Sequence, residues 1–186
     1  MDKKKIYIYT GIAGIIILSY LSRKPIVKKV KGVMNDLKRK EFLSSITPTV
    51  KILAAQIGVP YEFMLAQIAL ETGWGKSELF WKHFNVGGVK AVKGQPAVSY
   101  LTTECTKNGV CSKVYQNFAK YNSLKDGLVA HSKILTNRYF KKYANKTTDP
   151  KKYATLLQSG TPRYATDPKY VGKMITLIDQ VKLLTA

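Results

Sequence analysis

The sequence predicts an α+β protein: a mostly helical domain with a small β-hairpin lobe, preceded by an N-terminal hydrophobic helix. Three observations lead there. From Phe42 onward, apolar residues recur mainly at helical spacing. Two runs rich in β-formers, Ala97 to Cys105 and Cys111 to Phe118, flank Lys107-Asn108-Gly109, and Asn-Gly is a strong hairpin-turn signal. Residues 6–22 carry no charged side chain.

That uncharged stretch holds seventeen residues. At ~1.5 Å per residue it reaches about 25 Å, just short of a hydrocarbon core. Lys3-Lys4-Lys5 precede it and Arg23-Lys24 follow, and both flanks can snorkel outward. Leu18 to Ser22 offers no Ala-x-Ala cleavage pattern, so an uncleaved anchor is favoured over a cleaved signal peptide. Residues 1–24 are read as a membrane anchor or signal segment, 25–44 as a basic linker and 45–186 as the domain. The downstream flank is the more basic one, which by the positive-inside rule would leave the domain in the cytoplasm.

The net charge is +20. Residues 1–40 carry eleven Lys/Arg against two Asp, and the remaining 146 carry twenty against nine. Such a surface favours anionic partners: nucleic acid, anionic lipid or cell-wall polymer. Zinc-finger spacing, an RNP-like motif and a basic zipper are all missing, so no nucleic acid partner is expected. The linker is either a solvated spacer or a tether to anionic membrane or wall polymers.

Within the domain, Phe42 to Ile57 reads as an amphipathic helix with Ile46, Val50, Leu53 and Ile57 on one stripe. Pro48 suggests that its regular part begins there. Pro60 to Thr72 is a second helix, with Pro60 in the first turn and Gly73 as C-cap. Lys76–His83 adds a short helix, and Asn85 to Val92 is loop. Ser123 opens a helix to about Tyr143, with Leu128, His131, Leu135 and Tyr139 on one face. Asp149-Pro150 and Asp167-Pro168 each read as a cap followed by a first-turn proline. The last helix runs to about Leu184. Cys105 and Cys111 flank the hairpin turn and can form a disulfide, two free thiols being the alternative.

The chemistry narrows by elimination. His83 and His131 stand in no ligand-spaced cluster, and there is no Walker loop or dinucleotide fingerprint, so neither a metal nor a cofactor is expected. Asp149 and Asp167 look like caps. Glu62 and Glu78 occupy first-turn positions, Glu41 the linker, Asp126 a helix start and Asp179 the last helix. Glu71 and Glu104 remain. Glu71 follows Met64 and Ile68 along one helix face and ends the helix just before Gly73-Trp74-Gly75. Desolvation there would raise its pKa, as a general acid needs. A helix-borne acid opposite a hairpin carboxylate is a common arrangement for cutting a glycosidic bond. Trp74, Trp81, Phe84, Tyr100, Tyr121 and Tyr164 could offer apolar faces to sugar rings.

Five segments then carry a resemblance. Leu70 to Ser77, Phe84 to Lys90, Thr102-Thr103-Glu104, Phe118 to Tyr121 and Tyr164 to Tyr170 occur in the order seen in bacterial and phage glucosaminidases of the flagellar-hydrolase and autolysin type, glycoside hydrolase family 73. The resemblance covers about residues 45–184. It implies a lysozyme-like fold and endo-β-N-acetylglucosaminidase activity on the GlcNAc-β-1,4-MurNAc strand of peptidoglycan. Glu71 matches the catalytic acid and Glu104 the second, hairpin carboxylate. Tyr164, with Tyr170 as alternative, matches the tyrosine opposite the acid. Asn85 matches a loop residue near the cleft, and Trp74, Phe84, Tyr121 and Tyr170 are expected to bind substrate. The chain departs from the family at Asn85-Val86-Gly87-Gly88, which lacks an aromatic wall, and at Cys105, which often is aromatic. A muramidase or lytic transglycosylase of the same fold, or a non-catalytic wall-binding or assembly protein, is the rival reading. On either enzymatic reading the domain is expected on the periplasmic or cell-wall side, or exported, and a virion-associated phage enzyme fits as well.

Overall fold

The computed structural model describes residues 7–9, 16–18, 23–105 and 111–186. The chain divides between Lys38 and Arg39 into two units. In the first, strand β1 (Tyr7–Tyr9) pairs antiparallel with β2 (Ile16–Leu18), Ile8 opposite Ile17. This corrects the expected N-terminal hydrophobic helix. Tyr and Ile, which make up most of the two strands, are strand formers. Most of the expected anchor lies outside the described residues. Among those described, no helix is long and apolar enough to cross a membrane.

Helix α1 runs Arg23–Ile57 with Pro48 inside it, so residues 25–44 are helical. The expected start at Pro48 is corrected as well. The proline removes one N–H, but hydroxyls serve carbonyls in the preceding turns: Ser45 Oγ donates to Phe42 O at 2.7 Å and Thr47 Oγ1 to Leu43 O at 2.7 Å.

The second unit is built around α2 (Tyr61–Thr72), in which Phe63 to Ala69 are all buried. Phe42, Leu43, Ile46 and Val50 of α1 belong to the same core, as do Tyr153 and Leu157 of α5 (Pro150–Ser159) and Met174, Ile178 and Val181 of α6 (Tyr170–Thr185). Each large apolar side chain fully buried here contributes roughly 1.5–3 kcal/mol. Short helix α3 (Glu78–His83) starts on Ser77, whose Oγ accepts from Phe80 N.

Strands β3 (Ala97–Cys105) and β4 (Cys111–Ala119) form an antiparallel pair in register from Ala97↔Ala119 to Cys105↔Cys111. The expected Asn-Gly turn between them lies outside the described residues. Val98, Tyr100, Thr102, Gln116 and Phe118 are half-buried, while Ser99, Leu101, Thr103, Tyr115 and Asn117 are exposed. One face of the ribbon is therefore packed and the other wet.

Helix α4 (Leu124–Leu135) ends well before Tyr143. The side chain of Asn137 accepts from Tyr139 N and Phe140 N, a local turn that competes with further helix. Tyr139 thus leaves the face shared by Leu128, His131 and Leu135. Asp149 caps α5 by accepting from Lys151 N at 2.8 Å. Asp167 instead caps the turn before α6, accepting from Lys169 N and pairing with Lys173.

Helix α4 meets the loop after α3 without room for a side chain. A Cβ on Gly127 would sit 1.8 Å from the Phe84 carbonyl oxygen, whereas one on Gly172 would meet nothing within 4 Å. Gly127→Ala should therefore destabilise the protein by about 1–3 kcal/mol. Gly172→Ala, inside α6, should stabilise it by about 0.4–1 kcal/mol. Thermal unfolding of the two variants reads the difference, and equal melting temperatures would refute the packing described.

Candidate active site

Glu71 occupies the last turn of α2, and the chain turns sharply behind it. Gly73, Trp74 and Gly75 all take the left-handed conformation, with φ of 57°, 61° and 74°. The N–H of Trp74 donates to Ala69 O at 2.8 Å and that of Gly73 to Leu70 O at 3.3 Å, closing the helix end. Thr72 Oγ1 donates to Ile68 O and accepts from Gly75 N, locking the turn from within. Gly75 is fixed twice, by its positive φ and because a Cβ there would lie 2.4 Å from the Phe42 ring.

Met64 and Ile68, two turns and one turn back, are fully buried, but Glu71 emerges at the surface. Its carboxyl nevertheless has a raised pKa, caused by desolvation. Water reaches part of the side chain while neighbouring protein crowds the acid group.

Two tyrosines share this environment. Tyr164 and Tyr170 lie with ring centroids 5.5 Å apart and planes tilted 31°, and Phe140 backs Tyr164 at 5.1 Å. Burial pushes the Tyr164 hydroxyl upward in pKa, and the charge of Glu71 adds to the shift. Tyr170 is raised chiefly by burial, then by Tyr164, with Glu71 again contributing. Tyr153, fully buried behind them against Phe63, is pushed up to about 12 by desolvation.

Phe84, Asn85 and Tyr121 form a second group at the C-terminal end of α3. Phe84 takes a left-handed φ of 53° there. Tyr121 N donates to His83 O at 3.0 Å. Asn85 departs from its expected role in substrate binding. Its side chain is 1% exposed, and Nδ2 donates to Val89 O and Ala119 O, both at 2.9 Å, while Oδ1 accepts from Val89 N. The amide ties the loop to the root of β4. Trp74 is half-buried with the Arg39 guanidinium 4.7 Å over its ring, so that face is already covered.

The hairpin is rooted on α3 by Tyr100, whose hydroxyl lies 3.3 Å from His83 Nε2. Glu104 pairs with Ser112 in the strand register. Cys111 is disulfide-bonded, and Cys105 is its cross-strand partner in register. Among the described residues no group of three or more His, Cys, Asp or Glu is placed to hold a metal ion.

A family model described as mannosyl-glycoprotein endo-beta-N-acetylglucosaminidase, the glucosaminidase family, matches residues 47–183. The chain belongs to the glucosaminidase family. It is 34% identical over 153 residues to the peptidoglycan hydrolase FlgJ of Salmonella typhimurium, a match covering 78% of this chain and 47% of that protein. With the exo-glucosaminidase LytG of Bacillus subtilis it shares 31% identity over 147 residues, covering 76% and 51% respectively. The chain thus spans about half the length of the curated relatives it matches. Among solved structures, the catalytic domain of the autolysin Auto from Listeria monocytogenes superposes with a TM-score of 0.70 at 29% identity, covering 86% of this chain and 96% of that one. The truncated glycoside hydrolase domain of Salmonella typhimurium FlgJ gives 0.61 at 32% identity, covering 78% and 98%. The helical domain with its two-stranded antiparallel sheet is thereby the lysozyme-like glucosaminidase fold.

In this glucosaminidase domain a concavity of about 500 Å³ lies at the opposite end of α2, lined by Lys51, Gly58, Tyr61 and Asn145 among others. It holds none of the candidate catalytic groups. Gln67 and His131 are both fully buried; the sequence reading places His131 on an apolar helix face and misses Gln67. The signal was present in Gln67, the single polar residue between Phe63 and Leu70, one turn before Glu71.

The raised pKa of Glu71 has a consequence for stability. The folded protein keeps this proton to higher pH than the unfolded chain, so stability falls as pH rises from about the ordinary value of 4.5 through the raised folded value. Glu71→Gln removes that loss. Its melting temperature should exceed the wild type's at neutral pH, and the gap should close below about pH 4. A gap independent of pH in thermal unfolding would contradict the buried-acid assignment.

Proposed function

We propose that this chain is a peptidoglycan hydrolase, an endo-β-N-acetylglucosaminidase that cuts the GlcNAc-β-1,4-MurNAc strand after GlcNAc. The observation that carries the proposal is a desolvated carboxyl at a forced helix end, facing two tyrosines, in a glucosaminidase-family chain. Family membership and the peptidoglycan hydrolase and exo-glucosaminidase relatives support the substrate class.

In this reading Glu71 acts as general acid. With its pKa raised by desolvation, it passes its proton to the glycosidic oxygen as the bond to the anomeric carbon breaks. The leaving sugar departs as a neutral alcohol, and positive charge develops on the ring left behind. Glu104, from the hairpin, activates water or stabilises that charge. Tyr164 borders the reacting centre, with Tyr170 stacked beside it. Trp74, Phe84 and Tyr121 line the approach for sugar rings. Asn85 acts indirectly, by holding its loop.

The basic charge suits the same substrate. Peptidoglycan and its associated polymers are mostly anionic, so the domain is drawn to them at low ionic strength. The helical basic segment is assigned to the same wall polymers or to anionic membrane, with the domain working outside the cytoplasmic membrane.

Digestion of purified peptidoglycan followed by mass analysis of the new ends tests this reading. Reducing GlcNAc ends are expected. Reducing MurNAc ends would make the enzyme a muramidase, anhydro ends a lytic transglycosylase, and no cleavage a binding protein. Glu71→Gln should lower turnover by about 10²- to 10⁴-fold while leaving the fold intact. A variant retaining a few tenths of wild-type turnover would remove Glu71 as the acid.

A further inference from the structure

We propose that Gln67 and His131 form a buried positioning relay that sets the hydrogen-bond direction of the tyrosine pair beside Glu71. The inference rests on the reading that Glu71 and the tyrosines form the catalytic centre, and it adds two residues that touch no substrate.

The relay starts in the core. His131, on α4, is fully buried, and its Nε2 lies 3.0 Å from Gln67 Oε1. Its other ring nitrogen, Nδ1, has no hydrogen-bond partner and faces Gly87, where an added Cβ would come within 2.8 Å. This decides the tautomer. A proton on Nδ1 would bury an unpaired N–H, which native structures rarely tolerate, whereas a proton on Nε2 leaves only an unpaired acceptor. Nε2 therefore carries the hydrogen and donates it to Gln67. The imidazole is also neutral, since burial lowers its pKa to about 4.

His131 in turn orients the Gln67 amide. With Oε1 taken, the NH₂ end points the other way, and Nε2 lies 3.5 Å from the Tyr170 hydroxyl as donor. The same amide acts on the Tyr164 hydroxyl, opposing the rise in its pKa. The Tyr170 oxygen thus accepts from Gln67. Its own O–H hydrogen is left free to donate elsewhere, and the charge of Glu71 is felt at both hydroxyls. A reversed amide would turn that hydrogen inward, to the Gln67 carbonyl. Gln67 and Glu71 are four residues apart on one helix, so the element that presents the acid also carries the orienting amide.

A merely structural network would cost stability when broken, and its cost in activity would not depend on the tyrosine hydroxyls. A double-mutant cycle separates the two roles. On soluble peptidoglycan fragments, Gln67→Met should lower kcat by about threefold to tenfold with KM little changed. In a Tyr164→Phe/Tyr170→Phe background the same change should cost nothing further. Equal losses in both backgrounds, or an unchanged kcat, would overturn the relay. Should Gln67→Met fail to fold, the ¹⁵N spectrum of the wild-type histidines decides: a hydrogen on Nε2 of His131 is expected, and one on Nδ1 overturns the proposal. Glu71→Gln is measured alongside. If it stays active, the catalytic reading fails, while the tautomer still reports on the relay itself.

Discussion

Helix α2 is packed on all sides and stops at Thr72, and the arrangement of the site depends on that stop. A carboxylate one turn deeper would be sealed among Met64, Ile68 and their neighbours, at a cost no single acid group could meet. One turn further out, it would sit in water with an ordinary pKa. The left-handed run Gly73-Trp74-Gly75 holds the chain between these extremes. Only glycine at 75 leaves room for the Phe42 ring, so a core residue of α1 packs directly against the turn behind Glu71.

The acid is paired with a tyrosine wall from the far end of the chain. Tyr164 precedes α6 and Tyr170 begins it, and α6 packs its Met174–Ile178–Val181 stripe into the core alongside α2. The hydrophobic packing that stabilises the domain is thus the packing that brings the tyrosines to Glu71. The hairpin is more loosely tied: its root is held by Tyr100 on His83 and by Asn85 on Ala119.

Much of this was legible in the sequence because the signals were local. Asp149-Pro150, Ser123 and Gly73 cap helices wherever they occur, and the β-rich runs around Asn108-Gly109 leave few alternatives to a ribbon. Glu71 stood out because every other carboxylate apart from Glu104 had a simpler explanation. What escaped notice depends on contacts remote in sequence. The burial of Asn85 requires Ala119, 34 residues away, and the partnership of Gln67 with His131 spans 64. The early end of α4 turned on one side chain, Asn137, competing with a helical pattern that continued past it. At the N-terminus, hydrophobicity alone was read as a helix, where Tyr and Ile favour a short antiparallel pair.

The central claim is that placement at the end of α2 keeps the Glu71 carboxyl protonated at a pH where an ordinary glutamate is ionised, and that this proton is the one used. A ¹³C NMR titration of the Glu71 side-chain carboxyl, run beside the pH dependence of kcat on soluble glycan fragments, tests both halves together. The account predicts a midpoint above the ordinary value of 4.5 and loss of kcat as pH rises through that midpoint. A carboxyl titrating at or below 4.5, or a kcat indifferent to its ionisation, would contradict it.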